Sequence, residues 1–410
     1  MSVEIDGDRL WSRLMEMARL GGFGEGGANR QALSDEEHAA WAQMIAWGAE
    51  IGLEPSTDAA ANLFLTLPGQ DRSLPPLMAG SHLDSQPTGG RFDGVFGVLA
   101  ALEAVTAMVR AGHRPARDVI VVAWMNEEGS RFAPGMMGSE VFAGVRGIGA
   151  VRAAQDADGI RCGDEIDRIH AAFPAVPERP PFVPLAYVEP HIEQGPVLEA
   201  VGVPIGVVSG IQGKITTEVT LTGQAGHAGT EPMAARRDAV MAFARVASAL
   251  QASVGLADPD IRFTIGRVEV TPNAPSVIAS EVRFRTDLRH PLNDVLDGAS
   301  EVLRQIVERE AAPCEGHVRE LVNAPSNRFD PVLQARIAEA AVAGGHGYRR
   351  MASAAGHDAR HVARLCPSAM IFIPCKGGIS HDPSESATRE HIIAGAEVLL
   401  GVLLASESGM

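Results

Sequence analysis

The apolar positions of the chain fall into three regimes. In the first, short unbroken apolar runs at Leu77–Gly80 and Val119–Met125 predict strands buried on both faces of a mostly parallel sheet. Between them, residues 95, 98, 99, 102, 105 and 109 are apolar, a helical period over Val95–Ala111 closed by Gly112. Strand, loop, helix and strand make a βαβ unit. Ser34–Gly52 reads as another helix, with Ser34 and Glu37 as a capping box and a glycine at its end. In the second regime, Ile215–Thr222, Ile261–Val270 and Glu281–Leu288 alternate polar and apolar residues, the mark of antiparallel strands with one wet face. Helices near 231–251 and 292–310 accompany them. The third regime returns to α/β character, with helices Pro331–Ala343, Asp358–Leu365 and Thr388–Ala405 and a strand Ala369–Pro374. The expected fold class is α/β: a larger, mostly parallel-sheet domain from 1–209 and 326–410, with a smaller α+β domain, 210–325, inserted into it. The Pro-rich stretch Phe173–Pro184 reads as a surface loop.

Composition narrows the partners. A chain of 410 residues with 46% hydrophobic and 21% charged residues has room for two cores. Lys+Arg 35 against Asp+Glu 51 gives a net charge of −16, which argues against nucleic acid and against docking on anionic membranes. Met1–Leu10 carries acids and no apolar core, so no signal peptide is expected there, and the apolar stretch Ile392–Ala405 is too short to span a bilayer. Four scattered cysteines without a C-x-x-C pair fit a reduced, cytoplasmic setting, and Cys375 reads as buried filler near a motif described next.

The chemistry concentrates at strand ends. Gly80-Ser81-His82-Leu83-Asp84, Phe92-Asp93-Gly94 and Asn126-Glu127-Glu128-Gly129 supply a histidine, an aspartate and a glutamate pair. In open α/β sheets, ligands bind beyond the carboxyl ends of the strands. Glu189-Pro190-His191 and Ile379-Ser380-His381-Asp382 add two more histidines in strand-to-loop contexts. These residue types build a pair of divalent cations bridged by a carboxylate, which activates water as a nucleophile at neutral pH. Asp93 is the expected bridge, with His82 and His191 completing one site and Glu128 and His381 the other. Asp84 is expected to orient the His82 imidazole. Glu127 is expected to act as general base and then as proton donor. Zinc is the default for such donors, and manganese, cobalt or nickel fit as well.

Read together, GSHLDSQPTGGRFDGVFGVLAALE (80–103), NEEGSRF (126–132), EPHIEQGPVLE (189–199), GHAGTEPMAARRDA (226–239), PNAPSVI (272–278), DLRH (287–290), AGHDA (355–359) and GISHDPSE (378–385) resemble one family. It is the N-carbamoyl-L-amino-acid hydrolase, β-ureidopropionase and allantoate amidohydrolase group of the dinuclear-metal aminoacylase and aminopeptidase superfamily. The resemblance implies a homodimeric amidohydrolase whose smaller domain carries the dimer contact and moves as a lid. It implies the same metal ligands and the same base. It also implies that His227, reached across the dimer, stabilises an oxyanion, and that Asn273 and Arg289 clamp a substrate carboxylate. Gln194, Gln212, Gly356 and His357 are implied to line the pocket. The sequence departs from the family at Ala352–Ala355, where a further glycine is expected, and at Arg91, in a loop that varies among relatives. The activity implied is hydrolysis of N-carbamoyl-L-amino acids to amino acid, carbon dioxide and ammonia. Allantoate and N-carbamoyl-β-alanine are the alternative substrates. A di-metal aminopeptidase fits less well, because Arg289 favours a carboxylate substrate, and intact ligands argue against a dead scaffold.

Overall fold

The computed structural model describes residues 3–407. The chain divides into two compact units, Met1–Ser209 with Phe329–Met410, and Gly210–Arg328.

The larger unit is built on one sheet. Its main strands are β1 (Glu54–Thr57), β2 (Leu63–Leu67), β3 (Leu77–His82), β4 (Val119–Trp124), β5 (Ala186–Ile192), β6 (Ile205–Ile211) and β7 (Ser368–Ile373), in the spatial order β6-β7-β5-β3-β4-β2-β1. The central four, β7, β5, β3 and β4, run parallel. They are buried along their whole length, as unbroken apolar runs require. The expected mostly parallel sheet is present, and β2 and β1 extend it antiparallel on one side while β6 does so on the other. The short strands Asn327–Arg328 and Tyr348–Ser353 pair with β6. The latter is largely exposed, which is why no apolar pattern announced it.

The helix Val95–Arg110 is buried from Val95 to Met108 on every face. It lies on β3 and β5 under the helices Gly7–Met17 and Arg389–Ser406, so one amphipathic stripe does not suffice. Its one internal charge, Glu103, is fully buried and bound by Arg9 Nε and Nη2 at 2.8 and 2.6 Å and by the Asp6 N–H at 3.0 Å. The helix Asp35–Ala49 is capped by Ser34, whose Oγ accepts from the Glu37 N–H at 3.3 Å. The Glu37 carboxylate reaches the Leu33 N–H, one residue before the cap, so the expected box is shifted by one position. The expected helix Asp358–Leu365 is a single turn, Ala359–Val362. In the Pro-rich loop, Phe182 packs on Phe64 and Phe142, at ring distances of 5.7 and 5.2 Å, so part of it turns inward.

The smaller unit is a four-stranded antiparallel sheet in the order Arg262–Thr271, Glu281–His290, Gly213–Thr222, Glu315–Ala324. The two inner strands alternate buried and exposed positions. The helices Ala239–Leu250 and Asn293–Glu310 pack on it, and Val219, Phe284, Val246 and Leu303 are among the buried core residues. Two differences from the sequence reading have simple causes. The first helix starts only at Ala239, because Pro232 leads into a 3-10 turn and the Asp238 carboxylate caps the Val240 and Met241 N–H groups. The strand Glu315–Ala324 lies at an exposed edge and so lacks alternation.

Candidate metal centre

The carboxyl ends of β3, β4, β5 and β7 converge on one buried cluster. His82 ends β3, Glu127 and Glu128 follow β4, His191 lies in β5, and His381 lies beyond β7. Asp93 enters from the loop before the helix Val95–Arg110. Gly94 makes this approach possible, because its φ is +65° and a Cβ there would lie 2.3 Å from the His82 ring.

Asp93 faces two sets of donors with its two oxygens. Oδ1 lies 3.7 Å from His82 Nε2 and 3.2 Å from His191 Nε2. Oδ2 lies 3.3 Å from His381 Nε2, which is itself 3.3 Å from Glu128 Oε2. His82, Asp93 and His191 thus form one group able to hold a cation, and Asp93, Glu128 and His381 another. The imidazoles are set for that role. His82 Nδ1 donates to the Asp84 carbonyl at 2.9 Å, and His191 Nδ1 donates to the Ile192 carbonyl at 2.9 Å. Each ring therefore turns its Nε2 lone pair toward Asp93. His191 Nε2 is buried and, among the described residues, makes no hydrogen bond of good geometry, although Asp93 Oδ1 lies 3.2 Å away. A divalent cation fits these orphaned donors.

Charge is concentrated to match. Burial opposes protonation of His82, but Glu127, Asp84 and Asp93 outweigh it and raise its pKa well above the imidazole range. His381, bonded to Asp93, is raised to about 9. Burial pushes Glu128 up to about 7, helped by Asp93. Burial likewise opposes the Asp93 carboxylate, yet His191, His381 and His82 hold it well below its usual range. Protons and a cation would compete for these donors, so metal affinity at the cluster is expected to be pH-dependent. A third grouping, Glu189, His191 and His357, shares His191. Its Glu189 oxygens are already bonded, to Ser81 Oγ at 2.8 Å and the Ala359 N–H at 2.7 Å, so it holds β5 in place.

Glu127 belongs to neither donor group. Its Oε2 lies 3.7 Å from His82 Nε2, and burial, with Asp358, Glu128 and Asp84 nearby, raises its pKa well above the carboxylate range despite His82. A carboxyl raised in this way has the character wanted of a proton-transfer group.

Asp84 meets the His82 imidazole twice: its backbone carbonyl accepts from Nδ1 at 2.9 Å, and its carboxylate Oδ1 lies 3.6 Å from the same nitrogen. The carboxylate also accepts the N–H groups of Glu127 and Glu128 at 3.1 and 3.2 Å, fixing the turn that presents both glutamates.

Among the expected pocket residues, Gln194 joins the cluster, its Nε2 donating to Asp93 Oδ2 at 2.8 Å. His357 stacks edge-on against His191 with centroids 4.4 Å apart, and burial, helped by His191, lowers its pKa well below the usual value. Gly356 precedes it, next to Met136. Gln212, His227, Asn273 and Arg289 belong to the smaller unit. There Gln212 is buried, and His227 is exposed with Nδ1 accepting from the Gly229 N–H at 3.0 Å. Asn273 is exposed with φ +53°. Arg289 Nε donates to Asp287 Oδ1 at 2.7 Å, so one edge of its guanidinium serves the chain's own carboxylate. Cys375 is buried, its thiol pushed up to about 11 by burial, which excludes a reactive thiolate. The other three cysteines are also free and buried.

Sequence reasoning missed Gln86, Ser380 and Glu385. Gln86 Nε2 donates to Glu128 Oε2 at 2.8 Å, and Ser380 and Glu385 brace Asp93. The last two lie inside GISHDPSE, where the histidine drew the reading away from its neighbours.

The fold and the cluster together define a hydrolase class. Residues 78–405 match Peptidase family M20/M25/M40, and the chain belongs to that family. It is 40% identical over 408 residues to the N-carbamoyl-L-amino-acid amidohydrolase of Rhizobium meliloti, covering 98% of this chain and 96% of that one. It is 35% identical to the allantoate amidohydrolase of Escherichia coli, over 93% and 94% of the two chains. A crystal structure of a hydantoinase/carbamoylase family amidase from Burkholderia multivorans superposes with a TM-score of 0.92 at 41% identity, covering 99% and 98%.

Proposed function

We propose that this chain hydrolyses N-carbamoyl-L-amino acids at a centre of two divalent cations, zinc by default, with manganese, cobalt or nickel suited to the same donors. The observation that carries the reading is the Asp93 carboxylate, which turns one oxygen to His82 and His191 and the other to His381 and Glu128. Bound there, the cations supply a polarised carbamoyl oxygen and an acidified water. Glu127 takes the proton of the attacking water as the new C–O bond forms. It then delivers that proton to the amino-acid nitrogen as the C–N bond breaks, and the departing carbamate falls to carbon dioxide and ammonia. Asp84 keeps Glu127 aimed through its backbone N–H. His227 serves the oxyanion, and Asn273 and Arg289 receive the substrate carboxylate. Gln194, Gln212, Gly356 and His357 shape the pocket.

The smaller unit, 210–325 in this reading, acts as lid and dimer contact. Val240, Met241 and Val268, exposed on its helix and edge strand, support an apolar contact. The protein is a homodimer of the cytoplasm, an assignment with which four free cysteines accord. No described helix is long and apolar enough to cross a membrane.

The decisive test is ammonia release from metal-loaded protein. N-carbamoyl-L-α-amino acids, N-carbamoyl-β-alanine and allantoate are offered side by side, with a chelated control. Chelator-sensitive turnover fastest with the first class is expected. Preference for allantoate would transfer the protein to the activity named for its Escherichia coli relative. Arg289→Ala is expected to raise KM for carboxylate substrates by about 10–100-fold, the worth of a charged hydrogen-bond pair, with metal content unchanged. An unchanged KM removes Arg289 from the clamp.

A further inference from the structure

The bridging carboxylate is itself held by a carboxylate. Glu385 is buried. Its Oε1 accepts the N–H groups of Phe92 and Asp93 at 2.9 and 3.1 Å. Its Oε2 accepts from Ser380 Oγ at 3.0 Å, and the same hydroxyl lies 2.7 Å from Asp93 Oδ2. A hydroxyl has one hydrogen, so Ser380 serves either Asp93 or Glu385 at a given moment. Among the described residues, the groups facing Oδ1 are the two Nε2 atoms of His82 and His191.

The loop that carries His381 needs an anchor. His381 has φ +57°, and Gly377 and Gly378 also have positive φ. Chain on both sides of the histidine is tied back through Lys376 N–H to Ser386 O at 2.7 Å and Glu385 N–H to Asp382 O at 3.0 Å. Glu385 thus joins the Asp93 loop to the His381 loop across the centre. Gly90 leaves room for it, since a Cβ at Gly90 would lie 2.3 Å from Glu385 Oε1.

We propose that Glu385 is a positioning residue that sets the Asp93 bridge and the His381 loop, and that it governs affinity for the second cation, on the Oδ2 side, more than for the first. The inference rests on the two-cation reading above. His82 and His191 are fixed by their own strand ends through Asp84 O and Ile192 O, independently of Glu385. Oδ2 receives Gln194 Nε2 at 2.8 Å and Ser380 Oγ at 2.7 Å, and Glu385 is what ties Ser380 and the His381 loop to the Asp93 backbone. With Oδ2 engaged by a cation, the Ser380 hydrogen would be left to Glu385, which would keep the hydroxyl satisfied.

The test titrates Co²⁺ into metal-stripped protein, followed by equilibrium dialysis and by the visible spectrum of the bound ion. The wild type is expected to take two equivalents. Glu385→Ala is expected to weaken the second by about 10–100-fold, as loss of an outer partner of a metal site does, with the first changed by less than about threefold. Glu385→Gln keeps an acceptor for the two N–H groups and is expected to bind within about threefold of wild type. If Glu385→Ala does not fold, Gly90→Ala carries the test, because its methyl displaces the carboxylate without removing it, and the same loss of the second equivalent is expected. Two equivalents at wild-type affinity in the alanine variants overturn the proposal. So does equal weakening of both equivalents, or a glutamine variant as impaired as alanine. Fewer than two equivalents in the wild type would instead overturn the two-cation reading, and that result appears before any variant is made.

Discussion

Glu127→Gln is expected to lower kcat by about 10²–10⁴-fold, the usual contribution of a general acid–base group, while metal content stays at the wild-type level. The two halves of this expectation have separate structural causes. Glu127 is not among the donors that converge on Asp93, so a neutral amide at 127 leaves both ligand sets intact. Its carboxyl does sit beside them, with Oε2 3.7 Å from His82 Nε2. Burial holds its pKa well above the usual carboxylate range, with neighbouring carboxylates adding to the rise. Glutamine preserves volume and hydrogen-bonding capacity but neither accepts a proton from water nor hands one to nitrogen. Metal analysis and steady-state kinetics on the same preparation check both halves. A variant within tenfold of wild type would remove Glu127 from the proton path. A variant that loses metal would make it a ligand.

The sequence made the central sheet legible because four fully buried parallel strands cannot be written without unbroken apolar runs, as at Val119–Trp124. It also pointed to the histidines and acids at those strand ends, since a parallel sheet delivers its carboxyl ends to one place. Elements at exposed edges escaped, Glu315–Ala324 and Tyr348–Ser353 among them, because a strand with little buried face has no period to detect. The hydrogen bonds that hold the centre escaped for a different reason. Glu385 meets Phe92 and Asp93 across 293 and 292 positions of chain, and no local pattern encodes a contact at that range. Asp84 was visible as a residue but its direction was not. Two residues after His82, its carboxylate and its backbone carbonyl both lie near the imidazole, and the bonds the carboxylate also makes to N–H groups arriving from the loop after β4 have no local signal.

That division of labour within Asp84 gives the second large effect. Asp84→Ala is expected to destabilise the protein by about 2–4 kcal/mol and to lower metal affinity by about 10–100-fold. Asp84 has no solvent exposure, and its two oxygens are the acceptors for the Glu127 and Glu128 N–H groups. Removing them strands two part-buried donors, each costing up to about 1–3 kcal/mol, partly offset by water entering the space left. The backbone carbonyl of residue 84 survives the substitution, so the His82 tautomer is retained. The affinity loss is therefore expected to fall mainly on the cation proposed at Glu128 and His381. Denaturant unfolding of metal-stripped protein measures the first quantity, and equilibrium dialysis with Zn²⁺ measures the second. If stability falls while the second cation binds as in wild type, Asp84 braces the fold alone. If the cation proposed at His82 and His191 is the one lost, the carboxylate acts chiefly through its contact with the imidazole, and the assignment of its main role to the glutamate turn is wrong.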